Sequence, residues 1–221
     1  MTAQLLLAGA TGLVGAEVLR LASADPRVGA VRALVRRPLP TALPRVVLWE
    51  ATSGDLSSGL KPEKVDAVIC CLGTTMRNVG GDQRKFIHVD HDLVLALGGW
   101  AKANGVARFC VVSAMGADSK SRFFYNRVNG DMEQGLIDLQ LPGLHIFQPS
   151  ILTGPRQERR AGERLGIAVM KAISPLLLRG WSDYKPMPHD VLAKALLNVA
   201  LGSAPASLRS RYEAIRSAAS A

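Results

Sequence analysis

Three glycines, each separated from the next by two residues, could bind a phosphate group through backbone amides. Gly9, Gly12 and Gly15 follow the apolar run 5–8 and overlap the start of a helix-like apolar pattern over 13–21. A strand that passes into a helix in this way presents the first helical amides to an anion. Glycines at 9 and 12 would let the backbone approach a pyrophosphate, and Gly15 would let the helix pack closely on the sheet. An ordinary tight turn is the alternative, but this context favours dinucleotide binding by Gly9, Thr11, Gly12, Leu13, Val14 and Gly15.

Two arginines at the end of the next strand bear on the choice of dinucleotide. The run 30–35 reads as a strand and is followed by Arg36, Arg37 and Pro38. An NAD site usually has an acidic residue at this point, whereas an NADP site tends to have an arginine that binds the 2′-phosphate. A guanidinium forms paired hydrogen bonds with a phosphate, so we expect Arg36 first and Arg37 second to bind NADP(H), with NAD(H) less favoured. The alternative is a solvated loop in an arginine-rich chain.

Strands and helices alternate along most of the chain. Strands are predicted at 45–50, 65–72, 107–113 and 144–148, and helices at 84–103 and 121–139. This alternation predicts a single α/β domain over 1–221, a Rossmann-like doubly wound parallel sheet. Residues 153–221 are expected to form a mostly helical lid and a small helical C-terminal cap, with helices near 165–177, 191–201 and 207–217.

The carboxyl ends of parallel strands form the ligand-binding edge of such a sheet. Residues that follow the predicted strands are therefore candidates for cofactor contacts. Besides the glycine turn and the arginines, they are Asp55, Leu56, Leu72, Gly73, Thr74, Thr75, Pro149, Ser150 and Ile151. Asp55 and Leu56 are expected at the adenine end, although a surface turn is an equal alternative. The hydroxyls or amides of Thr74 and Thr75 are expected to contact the ribose or pyrophosphate.

Composition narrows the function classes. The 221 residues are 48% hydrophobic and carry a net charge of +9, but the basic residues are dispersed and only 5% are aromatic, so nucleic-acid binding is not favoured. The densest basic group, Arg156, Arg159, Arg160 and Arg164, is interpreted as a solvated loop or a patch facing an anionic ligand. We expect no signal peptide, no membrane span and no metal site. Because Cys70, Cys71 and Cys110 lie in apolar runs and are not placed for a disulfide, we expect a reducing, cytoplasmic location.

Four segments together resemble a known family. They are the turn 9–15, Cys71-Leu72-Gly73-Thr74-Thr75, the strand region 105–113 and Gln148-Pro149-Ser150. The chain resembles the atypical short-chain dehydrogenases/reductases, in the small NAD(P)H-binding oxidoreductase-like branch that includes the Tat-interacting protein and its bacterial relatives. This resemblance, which covers nearly the whole chain, implies a Rossmann fold, bound NADP(H), a catalytic serine at Ser113 and a catalytic tyrosine at Tyr125.

The resemblance also implies a lysine four residues after the tyrosine, where this chain has Asn129. In the family that lysine holds the nicotinamide ribose and lowers the pKa of the tyrosine. Asn129 can hydrogen-bond a ribose hydroxyl but supplies no charge, and we regard a substitute cation from Arg122 or Arg127 as improbable. Two hypotheses follow: a weak or specialised NADPH-dependent reductase of an unknown small carbonyl substrate, and a catalytically silent NADP(H)-binding regulatory or redox-sensing protein that acts through a protein partner.

Overall fold

A computed structural model describes residues 2–39, 42–52, 55–155, 183–203 and 208–221 of the chain. Within these ranges seven parallel strands form one sheet in the order β3-β2-β1-β4-β5-β6-β9. Their bounds are β1 Ala3–Ala8, β2 Val28–Val35, β3 Val46–Glu50, β4 Ala67–Cys70, β5 Arg108–Val112, β6 Leu144–Phe147 and β9 Arg209–Ser210. A separate two-stranded parallel pair consists of β7 Leu152–Thr153 and β8 Met187–Pro188.

Helices cover both faces of the sheet, because side chains that alternate along the central strands are apolar on both sides. Leu5 and Leu7 of β1 pack in one core cluster, and Leu6 and Ala8 pack in the other. The first cluster includes side chains of α1 (Leu13–Ala24), α5 (His189–Ala200) and α6 (Tyr212–Ser220), and the second includes those of α3 (Leu93–Ala103) and α4 (Phe124–Asp138). This is the predicted doubly wound α/β fold with a helical C-terminal segment.

The predicted helix 84–103 contains an irregular turn. A short helix α2 (Gln83–Ile87) leads into one π-helical turn (His88–Asp92), which continues as α3. A π turn inserts one residue into the helical repeat and often marks a functional site. Here it places the acidic Asp90 on the buried side.

The predicted helix 121–139 begins three residues late, at Phe124. Asp118 to Ser121 form a turn instead, in which the Ser121 amide donates to the Asp118 carbonyl at 2.9 Å. Gly130 of α4 packs directly against the Asp118–Ser119 backbone, where a Cβ would collide. The loop is therefore held against the side of α4, and Tyr125 lies in the first turn of that helix.

The C-terminal part was predicted less well. The helices expected at 191–201 and 207–217 are present at His189–Ala200 and Tyr212–Ser220. The helix expected at 165–177 and the four arginines from Arg156 to Arg164 lie outside the described residues. The prediction missed β7, β8 and β9, since each strand is only two residues long. Strand β9 extends the main sheet beside β6.

Candidate functional site

A cleft of about 1140 Å³ opens at the carboxyl ends of β1, β4, β5 and β6. It lies where the strand order reverses between β1 and β4, which is the usual ligand position in open α/β sheets. The predicted residues that line it are Thr11, Gly12, Leu13, Val14, Leu72, Gly73, Thr74, Thr75, Ser113, Tyr125, Asn129, Pro149, Ser150 and Ile151. The structure therefore brings the glycine turn and the candidate catalytic residues to one cavity.

Each of the three glycines of the first turn is suited to its position for a different structural reason. Gly9 has a φ of +85° and lies so close to β4 that a Cβ would be 2.5 Å from the Cys71 carbonyl oxygen. Gly15 packs on the Gly9 carbonyl, where a Cβ would collide. A Cβ on Gly12 would meet only the Gly9 oxygen, at 3.4 Å. Gly9 and Gly15 are thus required by the fold, whereas Gly12, at the N-cap of α1, keeps the cleft open.

Arg36 and Arg37 do not line this cleft. They directly follow β2, the neighbour of β1, and their side chains are exposed. Within the part of the chain that the structure describes, neither arginine has an ion pair or a hydrogen-bonded side-chain partner. Both guanidinium groups are therefore available at the sheet edge next to the glycine turn.

Asp55 and Leu56 have structural roles that the sequence did not indicate. The Asp55 carboxylate accepts hydrogen bonds from the Ser57 amide at 3.0 Å and the Ser57 hydroxyl at 2.6 Å, which caps the 3₁₀ turn Leu56–Gly59. These bonds lower the pKa of Asp55. Leu56 is buried in the same core cluster as Trp49. Neither residue lines the cleft, so the surface-turn alternative describes Asp55 better.

The loop after β4 forms one wall of the cleft. The Thr74 amide donates to Asp90 Oδ2 at 2.8 Å, and Thr75 Oγ1 accepts from the Asn78 amide at 3.2 Å. A Cβ on Gly73 would have no neighbour closer than Asp90 Oδ1, at 3.7 Å. Packing therefore does not require glycine at 73, and its absent side chain widens the cleft.

Asp90 is a cleft residue that the sequence analysis missed. Its side chain is 7% exposed, and burial raises its pKa to about 7, with the Thr74 amide acting in the opposite direction. A signal was present, because Phe86, Asp90, Val94 and Leu97 follow a helical spacing on which only Asp90 is polar. An acidic residue on an apolar helical stripe is rarely buried without a specific reason.

Ser113 is held by a buried hydrogen-bond network. Its hydroxyl donates to Glu133 Oε1 at 2.5 Å, and Glu133, which is 1% exposed, also accepts from Gln148 Nε2 at 2.8 Å and from Arg209 Nε at 2.8 Å. Gln148 Oε1 accepts in turn from Arg211 Nε at 3.2 Å. Because the Ser113 proton is directed to Glu133, the oxygen of Ser113 faces a cleft ligand as an acceptor.

Tyr125 and Asn129 lie one helical turn apart on α4, and both line the cleft. The Tyr125 side chain is 46% exposed and packs edge-on against Phe86, with ring centroids 5.9 Å apart. Asn129 is buried, and its Nδ2 donates to the Tyr125 carbonyl at 2.9 Å. The side-chain amide of Asn129 therefore donates a hydrogen bond to the backbone of its own helix.

The two arginines considered as substitutes for the missing lysine are not placed for that role. Arg122 precedes the first helical residue, Phe124, so the condition for its reaching the cleft from α4 is not met. The guanidinium of Arg127 donates to the Ser121 carbonyl at 3.0 Å and lies 6.0 Å from the Phe124 ring centroid. Neither arginine lines the cleft.

The loop after β6 connects the cleft to the C-terminal segment. Pro149, Ser150 and Ile151 line the cavity, and the Ser150 hydroxyl donates to the Lys185 carbonyl. The Met187 amide donates to the Ile151 carbonyl at 2.9 Å, which continues into the β7–β8 pair. His189, at the start of α5, lines the same side.

Two further observations concern the described ranges as a whole. They contain no cluster of three or more His, Cys, Asp or Glu side chains that could hold a metal ion. No helix in them is long and apolar enough to span a membrane.

Sequence comparison identifies the family to which the chain belongs. The model of the NAD(P)H-binding family matches residues 9–141. The chain belongs to this NAD(P)H-binding family. It is 36% identical over 175 residues to the protein FMP52, mitochondrial, of Eremothecium gossypii, which covers 79% of this chain and 77% of the relative. It is also 36% identical over 133 residues to protein HTATIP2 of Rattus norvegicus, covering 60% and 52% of the two chains. The predicted resemblance to the Tat-interacting branch is confirmed.

Solved structures confirm the fold. The Bordetella bronchiseptica enzyme WbmH in complex with NAD+ superposes with a TM-score of 0.65 at 15% identity, covering 96% of this chain and 75% of the other. MoeE5 in complex with UDP-glucose and NAD gives a TM-score of 0.64 at 18% identity, covering 94% and 76%. These likenesses show that the chain has a Rossmann fold, and the family match adds that it belongs to the NAD(P)H-binding proteins.

The expected cytoplasmic location is contradicted. The relatives from Eremothecium gossypii and Emericella nidulans, the second 32% identical over 210 residues, are both named mitochondrial. Free cysteines are compatible with any reducing compartment. The buried thiols of Cys70 and Cys110 therefore could not distinguish a cytoplasmic from a mitochondrial location.

Proposed function

We propose that this protein binds NADP(H) in the cleft and acts as a weak or specialised reductase of a small carbonyl substrate. The observation that carries the proposal is that one cavity joins the glycine turn to Ser113 and Tyr125. Such an arrangement lets a bound dinucleotide place its nicotinamide beside two hydroxyl groups.

The residues present fit the anionic part of a dinucleotide. Gly12 leaves the start of α1 uncovered, no side chain caps it, and the helix has no acidic residue in its first turn. The unpaired amides and the helix dipole together favour a pyrophosphate there. When bound, the cofactor would supply the hydride, while Thr74 and Thr75 would flank its ribose or pyrophosphate.

The preference for NADPH over NADH is proposed from Arg36. This exposed guanidinium follows β2 without a carboxylate beside it in the sequence, so it can pair with a 2′-phosphate. A charge-assisted hydrogen bond contributes about 1.5 to 3 kcal/mol, which corresponds to roughly a 10- to 150-fold difference in Kd.

In the reductive direction Tyr125 would donate a proton to the substrate oxygen, which a neutral phenol can do slowly. Ser113 would accept a hydrogen bond from the nascent hydroxyl or from Tyr125, because its own proton is directed to Glu133. The family role in which serine donates to the substrate oxygen therefore requires the Ser113 hydroxyl to rotate away from Glu133.

A catalytically silent regulatory or redox-sensing role, through a protein partner, is the second candidate. It is favoured by Asn129, which donates to the Tyr125 backbone and gives the phenol no positive charge. Nucleotide binding would then act by stabilising the ligand-bound conformation.

A titration with NADPH and NADH, followed by a turnover screen on aldehydes, ketones and quinones, tests the proposal. We expect tighter NADPH binding and slow turnover that Tyr125→Phe abolishes without changing affinity. Arg36→Ala should weaken NADPH but not NADH, and Arg27→Ala, at an arginine that is paired with Asp25 at 2.7 Å and does not line the cleft, is the matched control. Equal affinity for both nucleotides would contradict the NADP(H) preference, and NADPH binding without any turnover would favour the regulatory role.

A further inference from the structure

An acidic side chain without an ionic partner lines the cleft. Only 7% of Asp90 is exposed, and its Oδ2 accepts a hydrogen bond from the Thr74 amide at 2.8 Å. Its Oδ1 lies on the Gly73 side, 3.7 Å from the position that a Cβ on Gly73 would occupy. Among the described residues no cationic side chain forms an ion pair with Asp90. The carboxyl group thus lies between the protein core and the cavity with a single backbone donor.

Charged groups of its own helix do not neutralise Asp90. His91 Nδ1 lies 2.8 Å and His88 Nδ1 3.8 Å from the exposed carboxylate of Asp92. Arg84 and Lys85 of α2 are exposed, as is Lys102 in the last turn of α3.

The elements packed against the π turn do not neutralise it either. On α4 the titratable groups are Tyr125, which packs on Phe86, and Glu133, which is bonded to Ser113 and Arg209. On β4 the neighbour is the buried thiol of Cys70, whose pKa is raised mainly by burial and further by Asp90.

Across the cleft the remaining charged groups are the Glu17–Arg20 pair and His189. Arg20 is bonded through two nitrogens to Glu17, at 2.6 and 2.9 Å. His189 Nδ1 lies 3.2 Å from the Thr153 carbonyl. Neither Arg20 nor His189 is therefore engaged with Asp90, and a negative charge at residue 90 would face whatever enters the cleft.

A dinucleotide brings negative phosphates into this cavity and removes water from its walls. Both effects disfavour an ionised carboxyl group, because burial and a like charge each raise the pKa of an acid. We propose that Asp90 takes up a proton from solvent when the dinucleotide enters the cleft, so that the complex contains a neutral carboxylic acid at residue 90. This inference rests on the proposed function and adds a proton-linked residue to it.

The neutral acid has a chemical consequence for the bound ligand. A protonated carboxyl group has an O–H donor that a carboxylate lacks. With Oδ2 accepting from Thr74, the proton resides on Oδ1, on the Gly73 side, where it can be donated to an acceptor atom in the cleft. Burial raises the pKa of Asp90 to about 7, so at neutral pH about half of the free protein carries the ionised form and can take up a proton when the dinucleotide binds.

Calorimetric titration with NADPH at pH 7, in buffers of different ionisation enthalpy, tests the proposal. The wild type should take up as much as about half a proton more per bound NADPH than Asp90→Asn. Because the 2′-phosphate can also bind protons, the difference between the two proteins is the quantity that isolates Asp90. Asp82→Asn, the same chemical change at the partly exposed N-cap of α2 and outside the cleft lining, should behave as the wild type.

The affinity of the wild type provides a second measurement that needs no folded variant. Its Kd for NADPH should rise towards tenfold per pH unit above pH 7, as a linked proton requires. Equal proton uptake by wild type and Asp90→Asn, or a wild-type Kd independent of pH between 7 and 9, would overturn the inference while leaving nucleotide binding intact. Absence of NADPH binding by the wild type at every pH would instead refute the proposed function and this inference with it.

Discussion

Replacing Asp90 by Asn should remove a pH-dependent loss of stability from the unliganded protein. Burial raises the pKa of Asp90 from 3.8 to about 7. Between these values the native state holds a proton that the unfolded chain releases, so the free energy of unfolding falls as pH rises and the loss is complete above pH 7. From pH 5 to pH 8 the linkage amounts to roughly 2.5 kcal/mol. An Asn side chain keeps an oxygen for the Thr74 amide and has no ionised form, so the variant should lack this slope.

Urea unfolding of both proteins at four pH values from 5 to 8 measures the effect. The quantity of interest is the stability of Asp90→Asn minus that of the wild type, because other titrations cancel in it. Asp82→Asn provides the control: the Asp82 carboxylate caps α2 through the Arg84 and Lys85 amides, and these bonds lower its pKa. Its stability contribution is lost only at lower pH, as the pH falls through that lowered pKa, so the control difference should be constant from pH 5 to 8.

The reasoning would be refuted if the stability difference between Asp90→Asn and the wild type were as independent of pH as that of the control. It would mean that Asp90 is ionised at little cost in the folded protein, either because water reaches it or because a cation pairs with it in solution. A difference that increases with pH and levels off above pH 7 would confirm both the direction and the origin of the shift.

Three further changes have distinct expected outcomes. Gly12→Val should abolish NADPH binding with little change in the circular dichroism melt, whereas Gly15→Val should unfold the protein, because only the second would collide with the Gly9 carbonyl. Glu133→Gln should lower the free energy of unfolding, measured in urea, by roughly 2 to 4 kcal/mol, because it removes the negative charge and one of the two buried oxygens that accept from Ser113 and Arg209. An unchanged free energy of unfolding would contradict the role of this network. If the cleft is a weakened reductase, Asn129→Lys should raise turnover at least about tenfold, and a second change, Tyr125→Phe, should remove the gain; no activity in either form would count against the reductase proposal.

The sequence was sufficient for the fold and for most cleft-lining residues because those features depend on local patterns. The apolar run of β1, the glycine turn and the start of α1 are contiguous, so their order alone predicts a phosphate-binding turn. The segments after β4, β5 and β6 could be placed together since parallel strands end at one edge of the sheet. The sequence left two roles open for Asp55, because a capping aspartate and a ligand-binding aspartate at a strand end look the same in sequence, and the structure shows the capping hydrogen bonds.

Contacts between distant segments were beyond such patterns. Glu133 joins β5, α4, β6 and β9 through Ser113, Gln148 and Arg209, which are up to 76 residues away in sequence. Strand β9, which carries Arg209, has only two residues and no strand-like periodicity to reveal it. Asp90 was nevertheless visible as a polar residue on an apolar helical stripe.

Two hydrogen bonds explain why the identities of Ser113 and Tyr125 do not by themselves define an active site. The Ser113 proton is committed to Glu133, and the Asn129 amide is committed to the carbonyl of Tyr125, so neither donor points freely into the cleft. A reductase needs a proton donor at the substrate oxygen, and Tyr125 and a neutral Asp90 both line this cleft with an O–H group. At saturating NADPH, turnover that Tyr125→Phe abolishes and Asp90→Asn retains would assign the donor to Tyr125, and the reverse pattern would assign it to Asp90.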